Sequence, residues 1–178
     1  FVDGVLDEGR SALHRVTIGA IAAGDHPLGR RAAGMGWSLR LDAEAAADPV
    51  QIVHIATAGE SHLPAEIVLA DDAAAEVVET FVGAGWANRF TRVALGKGAR
   101  LMRSVRLLQP AGFVSLREEA TVGAAASLVT VFLGAGGQGS RIDAELTLAG
   151  EGAFVDYGGA LLTRDEQKQE CAVAVRHA

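Results

Sequence analysis

The residues able to do chemistry are few and far apart. Cys171 is the single cysteine, and His177 lies six positions beyond it. A thiolate and an imidazole on one strand face could begin a metal centre, but such a centre needs further ligands converging on them. Val173 and Val175 fill that face instead, which reads as a buried apolar row holding a structural cysteine. His14, His26, His54 and His62 are scattered and form no ligand cluster. His54 alternates against the apolar Val53 and Ile55 and is expected to face outward. His62 precedes Pro64 and is expected in a loop.

Carboxylates pair at Asp71-Asp72, Glu118-Glu119 and Asp165-Glu166. Two carboxylates can divide the acid and base work of glycoside cleavage. A carbohydrate-active enzyme would add arginines and aromatic platforms, and only 5% of the residues here are aromatic. All three pairs are expected at bends, where solvated charge is ordinary. Residues 134–139, GAGGQG, satisfy the glycine pattern that cradles a dinucleotide pyrophosphate, but only a following helix makes that pattern functional. RIDAELTL follows, and it alternates as a strand does. The GKG at 96–98 lacks the spacer and hydroxyl residue of a phosphate-binding loop. No nucleophile–base constellation stands out. The sequence therefore assigns no catalytic, cofactor-binding or metal residue.

The same GKG belongs to a repeat. LADDAAA (69–75), LGKGARL (95–101), VGAAASL (122–128) and AGEGAFV (149–155) each place an apolar residue, a tight bend and then an alanine. The alanines are Ala73, Ala99, Ala126 and Ala153, spaced by 26, 27 and 27. Period-two alternation flanks the bends, as in Ala99, Leu101, Val105 and Leu107 against Arg100, Met102, Ser104 and Arg106. Arg103 interrupts the apolar series. Only residues 73–81 resemble a short helix, and the repeat overrides that reading. Each unit is strand, bend, strand and a longer return loop containing glycine. Repeated strand–corner–strand units without helices stack as the coils of a solenoid. The fold expected is all-β, a right-handed parallel β-helix of about 26–27 residues per coil and six or so coils. A flat two-sheet sandwich is the alternative, with hairpin turns and no such register.

Residues 1–36 differ from the rest. They carry turn signals, one short strand at 16–21 and a loop or cap over AAGDHPLGRRAAGMG. Residues 37–178 form the expected core. The last run, ECAVAVRHA, stops where the next bend is due, so the polypeptide is expected to continue or to be covered there by another chain.

A net charge of −6 argues against nucleic acid and anionic membrane surfaces as partners. A single cysteine and no basic–apolar leader point to a reducing, cytoplasmic setting. Residues 120–140 carry no charge, but glycines and polar residues interrupt them and exclude a membrane span.

LGKGARLMRSVRLLQPAGFVSLREEATVGAAASLVTVFLGAGG with GSRIDAELTLAGEGAFVDYGGALLTRDEQ resembles the core of the SufB/SufD family. VQIVHIAT and PAEIVLADDAAAEVVETFVG resemble the segments before it, and FVDGVLDEG the start of that core. The likeness is closer to SufD, because SufB's cysteine-rich stretches have no counterpart. It implies a right-handed β-helix and a non-enzymatic scaffold working with SufB-like and SufC-like proteins, with a homodimer as a further form. It implies that the iron–sulfur cluster is assembled by the parent complex and that no cofactor is bound by this core. The family's interface histidine and its SufC-binding segment match no position here. A carbohydrate-active β-helix enzyme and a purely structural solenoid are the competing readings.

Overall fold

The computed structural model describes residues 1–13, 15–43 and 48–178. A short 3₁₀ turn, Glu8–Arg10, precedes strand β1 (Val16–Ile21), helix α1 (Pro27–Arg31) and strand β2 (Gly34–Leu41). Strands then follow one another: β3 (Val50–Ala56), β4 (Glu60–Leu69), β5 (Ala74–Gly83), β6 (Trp86–Leu95), β7 (Arg100–Leu107), β8 (Phe113–Val122), β9 (Ser127–Gly134), β10 (Gly139–Leu148), β11 (Phe154–Leu161) and β12 (Lys168–His177).

Alternate strands build two sheets. The wide sheet runs β1-β2-β4-β6-β8-β10-β12 and the narrow sheet runs β11-β9-β7-β5-β3. Every pairing is parallel except β1 with β2. Two parallel sheets whose strands alternate along the chain are the two walls of a parallel β-helix. The register steps 26 or 27 residues through the middle coils: Leu101 pairs with Leu128, and Leu128 with Val155. Five strand pairs complete their coils and β12 opens a sixth.

The predicted alanine column exists. Arg100 N donates to Ala73 O at 2.8 Å, Ser127 N to Ala99 O at 2.8 Å, and Phe154 N to Ala126 O at 2.9 Å. Ala73, Ala99 and Ala126 are fully buried. A larger side chain at this corner would meet its own repeat one coil away. Residues 73–81 fall almost wholly in β5, as the repeat requires. The return loops vary more than expected, since β5 reaches β6 through only Ala84 and Gly85.

Inside the coils the apolar rungs stack as rows. Leu39, Ile67, Val93, Ala120 and Leu146 form one such row across the wide sheet. Like residues above like residues bury apolar surface with no gap between coils, each large side chain contributing roughly 1.5–3 kcal/mol. Segment 22–31, which includes α1, lies across the outer face of the wide sheet. Phe90 points outward yet is fully buried, because this strap covers it. A Cβ on Gly24 would come within 2.7 Å of the Phe90 ring. Arg92 donates to Ala22 O and Ala23 O, and Asn88 Nδ2 to Leu28 O, which fixes the strap.

Candidate functional site

Parity sends a set of polar residues to the interior. Strand β5 points Ala75, Val77, Glu79 and Phe81 inward, and β7 points Leu101, Arg103, Val105 and Leu107 inward. On the wide sheet Arg89 and Thr91 of β6 and Glu118 of β8 point inward too. From the narrow sheet come His54 of β3, Thr130 of β9 and Tyr157 of β11. Apart from Thr130, whose hydroxyl has no partner, these groups join into a ladder through the middle of the stack.

Its first rung is Arg89, whose Nε donates to His54 Nδ1 at 3.3 Å. Its Nη1 donates to the carbonyls of Ser61 and Asn88. A guanidinium has only donors, so His54 Nδ1 is the bare nitrogen. The proton then sits on Nε2, which donates to Glu79 Oε2 at 3.2 Å. The imidazole stacks on Phe81 with 4.4 Å between ring centres. Burial and the Arg89 charge lower its pKa to about 4, so it is neutral at pH 7.

Glu79 is next. Arg103 Nε donates to Glu79 Oε1 at 3.0 Å. Burial alone would raise this carboxyl, but the Arg103 charge outweighs it and, with the His54 bond, holds it at about 2. Arg103 then crosses to the other sheet, where Nη1 donates to Glu118 Oε2 and Nη2 to Thr91 Oγ1. Tyr157 Oη donates to the same Glu118 oxygen at 3.3 Å. Burial pushes Glu118 up against the opposing pull of Arg103. Burial also raises the Tyr157 hydroxyl, so it stays a donor. Arg103, held between two carboxylates, never loses its proton.

The ladder corrects three expectations. His54 faces inward at 1% exposure, while Val53 and Ile55 are the ones facing out. Hydrophobicity misassigned this strand because Arg89 and Glu79 satisfy the imidazole. Glu118 and Glu119 do not sit at a bend: both lie in β8, Glu118 inside and Glu119 outside. Asp71-Asp72 and Asp165-Glu166 do sit at exposed turns. His62 lies in β4, not in a loop, and is bonded to Asn88 Nδ2 at 3.0 Å. A signal for Glu118 existed. Val114, Leu116, Ala120 and Val122 share a parity whose missing member is residue 118.

Cys171 is the fourth correction. Its register partner is Ile142, so it has the inward parity expected, along with Val173, Val175 and His177. It is nonetheless exposed, because within the described chain no strand stacks beyond β12. Partial burial and the nearby Asp143 charge push its thiol up. His14 lies outside the described residues. GAGGQG joins β9 to β10, with no helix after it.

A second charged set lies outside. Arg117 on the outer face of β8 donates to Glu119 at 3.1 Å, Asp143 at 3.0 Å and Glu145 at 2.7 Å. Arg117, Glu119 and Glu145 wall an open cavity of about 560 Å³ beside the strap, which Asp25 and His26 also line. Among the described residues no three of His, Cys, Asp and Glu gather as a metal-holding group. Among them, too, no helix is long and apolar enough to cross a membrane.

Within the interior ladder Arg103 pairs with both Glu79 and Glu118, while Arg89 is held by His54, Ser61 and Asn88. The ladder ties the two sheets together across the coil, and only Tyr157 at its end is partly exposed. The chain has no match among the curated proteins and none among the solved structures. A family model described as SUF system FeS cluster assembly, SufBD core domain, matches residues 54–178. That stretch is well over half of the chain and contains the coils from β4 onward, so the chain belongs to the SufBD core-domain family of the iron–sulfur cluster assembly system.

Proposed function

We propose that this chain is the core of a SufD-type scaffold subunit, which supports iron–sulfur cluster assembly through protein partners and performs no covalent chemistry itself. Family membership over residues 54–178 carries this reading. The single cysteine supports the SufD side of the family, since cluster building draws on thiolates. The closed ladder supports a scaffold role, because its ionisable groups serve one another inside a rigid stack. The cluster is the cargo of the assembly and not a resident group of this core. The partners are a SufB-like protein and a SufC-like ATPase, and the setting is the cytoplasm.

The test is co-purification. The full-length parent protein, tagged and co-expressed with SufB and SufC, is expected to retain both. Loss of both partners, or turnover of an acidic polysaccharide by the purified protein, overturns the reading.

A further inference from the structure

Both backbone polar groups of Leu28, in helix α1, depend on a histidine. Leu28 N donates to His26 Nδ1 at 3.3 Å. Leu28 O accepts from Asn88 Nδ2 at 2.9 Å, and the same Nδ2 lies 3.0 Å from His62 Nδ1. A carbonyl oxygen only accepts, so the Asn88 amide turns its nitrogen towards Leu28. An amide nitrogen only donates, so both histidine Nδ1 atoms are bare and both rings are neutral in this arrangement.

We infer that His26 and His62 form a pH-sensitive clasp on helix α1, closed while both rings are neutral and lifted when they take up protons. This holds independently of the proposed function. A proton on Nδ1 turns each acceptor into a donor, facing the Leu28 N–H in one case and Asn88 Nδ2 in the other. Histidine is the side chain whose charge ordinarily changes between about pH 5 and 8. Asn88 carries a second sign. It is fully buried, and its Oδ1 has no hydrogen-bond partner among the described residues. Turning the amide over lets that oxygen accept from a charged His62, and the same turn takes the donor away from Leu28 O.

The charged groups around the clasp favour this course. His62 Nε2 lies 3.8 Å from Glu60 Oε1, which draws a proton onto the ring. Glu60 also pairs with Arg31 at 3.8 Å, so a charged His62 competes for the carboxylate that anchors the end of α1. Arg31 lies over the Trp86 ring, and His62 meets the same ring at a near right angle. His26 Nε2 lies 3.7 Å from Asp143 Oδ2, and Asp143 is itself paired with Arg117 and Arg141. That carboxylate keeps the charged His26 on the sheet, while Arg30 Nε holds Asp25 O and Arg92 holds Ala22 O and Ala23 O. The segment before α1 therefore stays and the helix lifts. Lifting takes Gly29 off the Phe90 ring, where a Cβ on that glycine would lie at 3.3 Å. Acid thus uncovers an aromatic side chain on the outer face of the wide sheet.

Hydrogen exchange of the whole chain at about pH 7.5 and about pH 5.5, corrected for intrinsic rates, reads the clasp. The reporters are Arg30 N, bonded to His26 O, and Ala32 N, bonded to Gly29 O. Their protection is expected to fall about tenfold in acid, the worth of one hydrogen bond. His26→Asn combined with His62→Gln keeps both acceptors without a titrating ring, and asparagine still caps the helix. This double variant is expected to hold its protection at both pH values. It retains His54, so a general loss of stability would show in both proteins alike. Magnetic resonance titration of the wild-type rings supplies a second reading, since the midpoint of opening is expected to follow the His62 ring. Unchanged protection in the wild type overturns the inference. So does an equal acid loss in the double variant, or a midpoint that follows neither ring.

Discussion

Glu79 and Arg103 occupy neighbouring strands but different rungs, and the arginine closes the diagonal between them. Glu79 is in register with Val105 and Arg103 with Val77, yet Arg103 Nε reaches Glu79 Oε1 at 3.0 Å. The same guanidinium reaches Glu118 on the opposite sheet. With its bond to Thr91 of β6, this one side chain links four strands and both walls of the coil. Buried charges of this kind rarely add net stability over apolar residues, but removing one member leaves the others uncompensated.

Arg103→Met is accordingly expected to be costly. It strands Glu79 and Glu118 in the interior and should lower unfolding stability by about 3–5 kcal/mol. Replacing all three together, with Glu79→Leu, Arg103→Met and Glu118→Leu, should recover most of that loss. Urea unfolding of both variants checks the order. A triple variant no more stable than Arg103→Met would show that the ladder contributes net stability.

His54 makes stability depend on pH in a definite direction. Its folded pKa of about 4 lies below the ordinary 6.5, so the unfolded chain binds the proton first. The stability this provides is fully present above pH 6.5 and is lost as pH falls towards about 4. The loss from this group is roughly 3 kcal/mol. Glu79, held low by Arg103, extends the loss below its ordinary 4.5. Glu118, which burial raises, acts in the opposite sense. Melting temperatures between pH 7 and 4 should fall steeply in the wild type and much less in His54→Gln.

The coil's inside and outside separate cleanly at Arg100 and Leu101. Leu101 is 1% exposed and in register with Ala75 and Leu128, whereas Arg100 faces solvent. Leu101→Asp inserts an unpaired charge into a stacked apolar row and should unfold the domain. Arg100→Ala should stay within about 0.5 kcal/mol of wild type. Thermal melts of the two distinguish them at once.

The corner row offers a stabilising change. Asp72, Gly98, Ala125 and Gly152 all hold positive φ, at 60°, 67°, 54° and 71°. Ala125 is the member with a Cβ and no polar side chain to ease that conformation. Ala125→Gly should gain roughly 0.5–1 kcal/mol, read as a higher melting temperature. Gly98→Ala should lose stability, since an alanine is strained at its φ of 67°.

The period was legible in the sequence because a solenoid is locally written. Each coil repeats the same bend and alternation, so spacing alone placed Ala99 over Ala126 and Leu101 over Leu128. Arg103 was also visible, as a charge in an apolar series. Its partners were not. Glu79 is 24 residues before it and Glu118 15 residues after it, and only winding the chain brings the three together. His54 shows the same limit from the other side. Alternation offers two faces, and apolar Val53 and Ile55 claimed the interior by composition. The tertiary structure gave it to His54, because Arg89 and Glu79 supply the hydrogen bonds that make a buried imidazole tolerable. Cys171 kept its predicted parity and lost its predicted burial, since burial depends on the next coil and not on the strand itself. Periodicity settles which residues stack. Which polar groups can lie inside is settled by who else is there to pair with them.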